Sequence, residues 1–430
     1  MLQTIRNSWR IPELRKKFIF TVLILLIYRV GNAVPVPFVD TEALSIYFTQ
    51  LQTTVLGLYN AMSGGAFSAA TLFALSIQPY INASIIIQLL TVAIPALERL
   101  AKDGGEEGKK KIQRITRYAT IILALLMGVA YYVLIKRNGL LLTDINVAWS
   151  AIVIILTFTA GSTLLMWLGE QITEFGIGNG ISIILFASIV SRLPTGIYNL
   201  VRNLIAGILP WWMFVIIIVG AIVLIVFIIF ITNAERRIPV QYAKRVVGRK
   251  MYGGQSTHLP MKVNMSGVLP VIFAQSIASI PATIAAFVPK WQDGWFIKLF
   301  DTEGVVYIII YFLLILAFSY FYSTIQFNPV EVANNLKRNG GFIPGFRPGR
   351  PTSDFLRKVL NKITLFGALY LAIVAILPVI IGAVTSNMTS GLMSISIGGT
   401  SLIIVVGVAL ETVKGMEAQM LMRHYKGFLE

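Results

Sequence analysis

The sequence predicts an all-α, polytopic membrane protein whose ten transmembrane helices form two pseudo-symmetric, inverted halves of five. Three observations carry this. Of 430 residues, 56% are hydrophobic and only 13% charged, against roughly 25% charged in soluble domains. Apolar windows recur at 18–37, 69–93, 115–135, 149–168, 181–198, 211–232, 266–288, 304–325, 364–384 and 396–413, and a bilayer crossing takes about 20 predominantly apolar residues. The third observation is the placing of charge. With 1–17 in the cytoplasm, 29 of the 36 Lys and Arg residues fall on that side, in 1–17, 99–117, 236–262, 337–362 and 414–430. Such an excess marks cytoplasmic loops. An even span count returns the C-terminus to the same side, and five spans per half force the halves to run in opposite directions.

The basic segment 1–17 followed by FIFTVLILLIYRV has the look of a secretory signal, but the apolar segments after it read it as a retained first span. Spans one to five then occupy 18–205, spans six to ten 206–413, and 414–430 is a cytoplasmic tail. The second span is broken: Gly64 and Gly65 precede it, small residues fill its first half, and Pro79 interrupts it. Broken backbone is tolerated at membrane depth only where protein or a water-filled cavity surrounds it. A proline-kinked but otherwise ordinary helix is the plainer alternative.

Two cytoplasmic loops, 233–264 and 326–362, stand apart by length, charge and turn chemistry (Gly253–Gly254, Pro344–Gly345, Pro348–Gly349). They read as docking arms. The run from Arg236 to Arg245 suits a hairpin with cations at its tip. Such a patch favours a polyanionic partner, whether ribosomal RNA, an acidic protein surface or anionic lipid.

Chemistry is absent from the expected places. The chain has no cysteine, and its two histidines, His258 and His424, lie in polar segments, so no metal site or cofactor is expected. Span interiors are nearly free of ionisable groups, with Arg29, Glu170 and Glu411 near span ends, where side chains reach the interface. No HExxH or Walker loop occurs, and the Gly-rich 174–182 lacks a nucleotide-loop lysine. An enzyme is therefore not expected. An inverted-repeat solute transporter, the alternative, needs a coordinating cluster at the midplane that is not visible.

The spans instead carry aliphatic faces with scattered amides and hydroxyls: Asn82, Ser84 and Gln88 in the second, Gln275, Ser276 and Ser279 in the seventh. Ile81 and Ile85 share a helix face, as do Ile181 and Leu185, and Leu269 and Ile272. A ring of such residues excludes water and ions yet yields to an extended or bulky apolar guest. Lipid-facing or bundle-packing aliphatics give the same pattern. The stretches beginning at Pro79 and Pro270 match weakly and lie in the second span of each half, where interrupted segments point to a functional site.

Six stretches, in order along most of the chain, carry a resemblance: SGGAFS with FALSIQPYINASIIIQLLTV (63–92), MWLGEQITEFGIGNGISI (166–183), RRIPVQYAKR (236–245), QSTHLPMKVNMSGVLPVIFA (255–274), FNPVEVANNLKRNGGFIPGFRPG (327–349) and GGTSLIIVV (398–406). Together they resemble the SecY family, the central subunit of the bacterial protein-conducting channel. The resemblance implies two halves closing like a clamshell around an hourglass pore, in a multi-pass protein of the bacterial plasma membrane. It implies a plug, a short helix of Ser63, Gly64, Gly65, Ala66, Phe67, Ser68, Ala69, Ala70, Thr71 and Leu72, filling the outer funnel. The pore ring would be Ile81, Ile85, Ile181, Leu185, Ile272 and Ile404, with Leu269 near it; Leu185 stands where isoleucine is more usual.

The second, third, seventh and eighth spans would form a lateral gate, bearing Ser84, Gln88, Gln275, Ser276 and Ser279, that admits signal sequences and membrane segments to lipid. The arms would dock the ribosome or the SecA motor through Arg236, Arg237, Lys244, Arg245, Arg249 and Lys250 in the first and Arg347 and Arg350 in the second. SecE and SecG would be small membrane partners, unfolded preproteins the cargo, and no cofactor is implied.

Overall fold

A computed structural model describes residues 9, 11–50, 55–142, 146–207, 210–242, 245–247, 250–252, 256–265, 267–287, 304–386 and 399–426. Helices dominate. The first, α1 (Pro12–Gly31), starts with Pro12 at a position where the missing N–H costs nothing, and it buries one stripe, Leu14, Thr21, Ile24, Tyr28 and Gly31. Two short helices, α2 (Thr41–Gln50) and α3 (Val55–Met62), follow. Residues 63–77 form consecutive turns, and α4 (Gln78–Ala93) begins with Pro79 in its first turn.

The second apolar window is therefore helical over only 16 residues, about 24 Å of rise at 1.5 Å per residue. Its C-terminal stop has a local cause. Pro95 holds Ile94 in extended backbone (φ −106°, ψ 113°), and the axis turns by 104° into α5 (Pro95–Lys102).

The long helices α6 (Gly105–Arg137) and α7 (Val147–Phe175) come next, then α8 (Gly180–Val190), α9 (Leu193–Ile205) and α10 (Trp211–Asn233). Asn146 and Asn179 cap α7 and α8 by accepting from Ala148 N and from Ile181 N and Ser182 N. Almost all of α10 is apolar, yet among its described side chains only Ile228 and Ile231 are buried, so its outer faces suit lipid.

In the second half, α11 (Leu269–Phe287), α12 (Val305–Gln326), α13 (Pro329–Arg338), α14 (Arg350–Ser386) and α15 (Gly399–Lys426) complete the bundle. Among the described residues, six helical segments are long and apolar enough to cross a membrane, or up to seven with the bent pair. Shorter or more charged helices occupy the remaining windows.

The two long loops, 233–264 and 326–362, do not form separate arms. In the first, β1 (Glu235–Tyr242) pairs antiparallel with β4 (Ser256–Lys262), Ile238 facing Leu259, and β2 (Arg245–Val247) pairs with β3 (Lys250–Tyr252) beyond them. The second loop adds β5 (Gly341–Phe342) to the other edge of β1 at Gln241 and Tyr242. Because β5 stops there, Pro239 sits where β1 is paired on one side only, which is where a strand tolerates proline. Ile238, Val240 and Met261 bury against Ala333 and Leu336 of α13, Ile343, and Leu356 and Leu360 of α14. The loops fold into one body with its own core.

Candidate functional site

The main buried cluster draws from both halves of the chain, and the expected ring residues converge in it. Ile81 and Ile85 of α4, Leu185 of α8, Ile272 of α11 and Ile404 of α15 are all buried within it, and Ile181 packs against it partly buried. Four helices distant in sequence therefore bring aliphatic branches into one cluster, which excludes lipid-facing positions for the five buried residues. Leu269 differs: at the first position of α11 it is 39% exposed and stands outside the cluster.

The expected plug helix is not observed. From Ser63 to Ile77 the chain is a series of turns broken by one bridge, Pro35 to Thr71. The cause is a left-handed backbone at Gly64 (φ 70°), Gly65 (φ 92°), Ala70 (φ 42°) and Ser76 (φ 52°), which interrupts any helical run. The segment is nevertheless well tied. Val36 N donates to Ala70 O and Leu72 N to Val34 O, both at 2.9 Å. Phe67 N donates to Ser63 Oγ and Ser68 N to Asn60 Oδ1, both at 3.0 Å. Ser63, Ala66, Phe67, Ala70 and Thr71 are buried, while Gly64, Gly65, Ser68, Ala69 and Leu72 are half-buried.

Two glycine contacts seat this segment on the bundle. A Cβ on Gly161 of α7 would overlap the Leu72 carbonyl oxygen, and one on Gly64 would lie 2.9 Å from the Ser188 carbonyl. Tyr28 of α1 stacks on Phe73 (5.9 Å between centroids), and its hydroxyl lies 2.6 Å from Ser188 Oγ.

Beside the aliphatic cluster runs a seam where α4, α6, α11 and α12 meet; α4 packs on α6 and α11 on α12, and α11 touches both α4 and α6. Polar groups are concentrated there. Tyr322 of α12 donates its hydroxyl to Gln88 Oε1 at 2.6 Å, and Gln88 Nε2 donates to Ser84 Oγ at 3.1 Å. On α11, Gln275, Ser276 and Ser279 are buried; Ser279 Oγ donates to the Ser276 carbonyl at 2.9 Å. Gln275 Oε1 has no protein partner among the described residues. A buried amide oxygen left bare is costly in a dry core.

Glu170, read from sequence as a span-end carboxylate, pairs with Arg117 at 2.8 Å and accepts from Gln113 Nε2 at 3.1 Å, joining α6 to α7. Of the basic residues expected to dock a partner, Arg236, Arg237, Arg347 and Arg350 are exposed. Arg237 Nε donates to Glu235 Oε1 at 2.7 Å, and the Arg347 carbonyl accepts from Thr352 Oγ1 at 2.8 Å. Arg245 and Lys250 lie on β2 and β3, two residues from facing each other across that pair; Lys244 and Arg249 lie outside the described residues. Sequence reasoning missed Tyr28, Tyr131 and Tyr322. The signal available was a tyrosine within an apolar span, whose hydroxyl needs a partner once buried.

Comparison with known proteins agrees with this architecture. The SecY family model matches residues 71–413. The chain is 44% identical to the protein translocase subunit SecY of Streptomyces scabiei, covering 100% of both. It is 41% identical to that of Thermotoga maritima, covering 100% of this chain and 98% of the relative. Among solved structures, the fold is similar to a protein-conducting channel (TM-score 0.68, 18% identical, 97% of each chain). It is also similar to a SecY channel whose plug domain stabilises the closed state and maintains a membrane seal (TM-score 0.65, 17% identical, 97% of each chain). A third likeness is to Sec61 of the canine ribosome–channel complex from the endoplasmic reticulum (TM-score 0.64, 16% identical, 97% of each chain).

Proposed function

The chain belongs to the SecY family of protein translocase subunits, and on that premise we propose how it works as a protein-conducting channel. It is a channel subunit and not an enzyme. Unfolded preproteins cross the bacterial plasma membrane through it, and apolar segments leave it sideways into lipid. The observation that carries this reading is the convergence of Ile81, Ile85, Leu185, Ile272 and Ile404, from α4 and α8 of the first half and α11 and α15 of the second, in one buried cluster.

A conduit for chains of any sequence cannot rely on specific hydrogen-bond readout. A deformable aliphatic ring suits it, since such a constriction excludes water and ions when empty and moulds to whatever passes. The ring comprises those five residues and Ile181, with Leu269 at its approach. Residues 63–72 plug the outer side. Helices α4, α6, α11 and α12 form the lateral gate, whose polar seam, Ser84, Gln88, Gln275, Ser276 and Ser279, parts when a signal sequence enters. The halves 18–205 and 206–413 close on one another as a clamshell.

Both termini face the cytoplasm, as the distribution of basic residues supports. The fused loop body there docks the SecA motor or the ribosome through Arg236, Arg237, Lys244, Arg245, Arg249, Lys250, Arg347 and Arg350. SecE and SecG complete the membrane complex. The energy comes from the docked partner. The solute-transporter alternative draws no support from the family match or from the relatives.

The test is reconstitution with SecE, SecG and SecA in vesicles, followed by protease protection of a secretory precursor. ATP-dependent protection is expected. Its absence, accompanied by small-solute uptake, refutes the reading.

A further inference from the structure

Within the turn segment 63–77, one side chain is held differently from the rest. Phe67 lies in an aromatic box. Its ring stacks on Tyr131 of α6 (4.5 Å between centroids, 20° between planes) and meets Phe48 of α2 edge-on (5.2 Å, 72°). Tyr131 in turn packs on Phe158 of α7 (4.9 Å). The same Tyr131 donates its hydroxyl to the main-chain carbonyl of Phe67 itself. One residue of α6 thus grips one plug residue twice, by ring and by backbone.

The grip is dry. Tyr131 is fully buried and Phe67 nearly so. Parting them leaves a hydroxyl and a carbonyl bare away from water, which makes the contact all-or-none in character. On its remaining side Phe67 meets the Tyr59 ring at 6.3 Å and borders a cavity of about 10 Å³, room for a single water and not for a ring.

What makes the contact informative is the helix that supplies it. The same α6 packs along α4 and touches α11, so it borders the seam between the halves. A displacement of α6 away from the turn segment parts Tyr131 from Phe67. The segment's other ties run to different elements: to Val34 and Val36 in the loop after α1, to Asn60 of α3, and by close contact to Ser188 of α8 and Gly161 of α7.

We infer that Tyr131 is a positioning residue that latches the plug to α6 through Phe67, so that movement of α6 at the seam releases the plug. This rests on the reading of 63–72 as the plug. The latch needs no ligand and acts through one hydrogen bond and one ring stack.

The test uses the full chain with its membrane partners in vesicles. The chain lacks cysteine, so Ala66→Cys places a single thiol at a buried plug position, and the rate of labelling by a water-soluble maleimide reads plug release. Tyr131→Phe in this background is expected to label about tenfold faster, the order set by an unpaired buried hydrogen-bonding group. Phe67→Leu, which keeps the backbone acceptor but loses the stack, should also label faster. Tyr132→Phe is the control: its hydroxyl donates to Val147 O at 3.2 Å, away from the plug, and its rate should match the parent.

Equal rates for Tyr131→Phe and the parent overturn the latch, as does equal acceleration by Tyr132→Phe. Should Tyr131→Phe fail to accumulate, Phe67→Leu decides, an unchanged rate refuting the proposal. Precursor protection by the Ala66→Cys parent is measured separately. A parent that labels as expected but protects no precursor counts against the channel reading and not against the latch.

Discussion

Tyr322 on α12 donates its hydroxyl to Gln88 Oε1 on α4 at 2.6 Å, joining two helices whose hydrogen-bonded residues are 234 positions apart. With Gln88 donating onward to Ser84, it is a specific polar link across the seam assigned to the lateral gate. A buried hydrogen bond is worth about 1 kcal/mol net, roughly fivefold in a two-state equilibrium. Tyr322→Phe should therefore raise the open-gate population by about that factor. The expected outcome is export of a precursor whose signal sequence is too weakly apolar for the parent channel. Unchanged discrimination would remove this bond from the gate.

Gly161 is required by contact and not by backbone conformation, since any Cβ there would overlap the Leu72 carbonyl. Overpacking of this kind costs about 1–3 kcal/mol. Gly161→Ala should push the base of the plug outward, raising resting ion conductance in planar bilayers and lowering the melting temperature of the complex. A variant indistinguishable from the parent in both would mean that segment 63–77 is not seated on α7 during rest.

Replacing Ile81 and Ile85 by Asn puts two amides into an aliphatic cluster that offers them no designed partner. Buried amides without partners draw in water. We expect a steady ion leak through the resting channel, measured as conductance, several times that of the parent. No leak would place the seal elsewhere.

Arg347 is exposed, and its backbone carbonyl, not its guanidinium, supports the local turn through Thr352. Charge reversal should therefore spare the fold. Arg347→Glu is expected to abolish SecA-driven export while helical content and accumulation stay normal, since it reverses a docking charge. Normal export would refute the docking assignment.

The comparison between sequence and structure separates what local chemistry encodes from what tertiary contacts decide. The break before α4 was legible because Pro79 and the glycines before it are local punctuation, and the i, i+4 spacing of Ile81 and Ile85 placed both on the buried face. The plug's conformation was not legible. The family resemblance implied a helix over 63–72, whereas Ala70 and Ser76 adopt left-handed backbone, which no local residue pattern announces. The two loops looked separate because strand pairing between Gln241 and Phe342 spans about a hundred residues. Gln88 could be picked out as an amide in a span, but Tyr322 could be named as its partner only from the fold. Leu269 shares a face with Ile272 by spacing, yet it opens α11 and escapes burial there.

The most direct test of the central claim places a cysteine in the ring itself. In the cysteine-free chain, Ile404→Cys is reconstituted with its partners, and a precursor carrying cysteines along its length is stalled midway by a folded C-terminal domain. Under mild oxidation the account predicts a disulfide between the ring position and whichever precursor segment spans the membrane, shifting along the precursor as the stall point is moved. No disulfide from Ile404→Cys, while exposed cysteines on α10 form them, would show that polypeptides do not pass through this cluster.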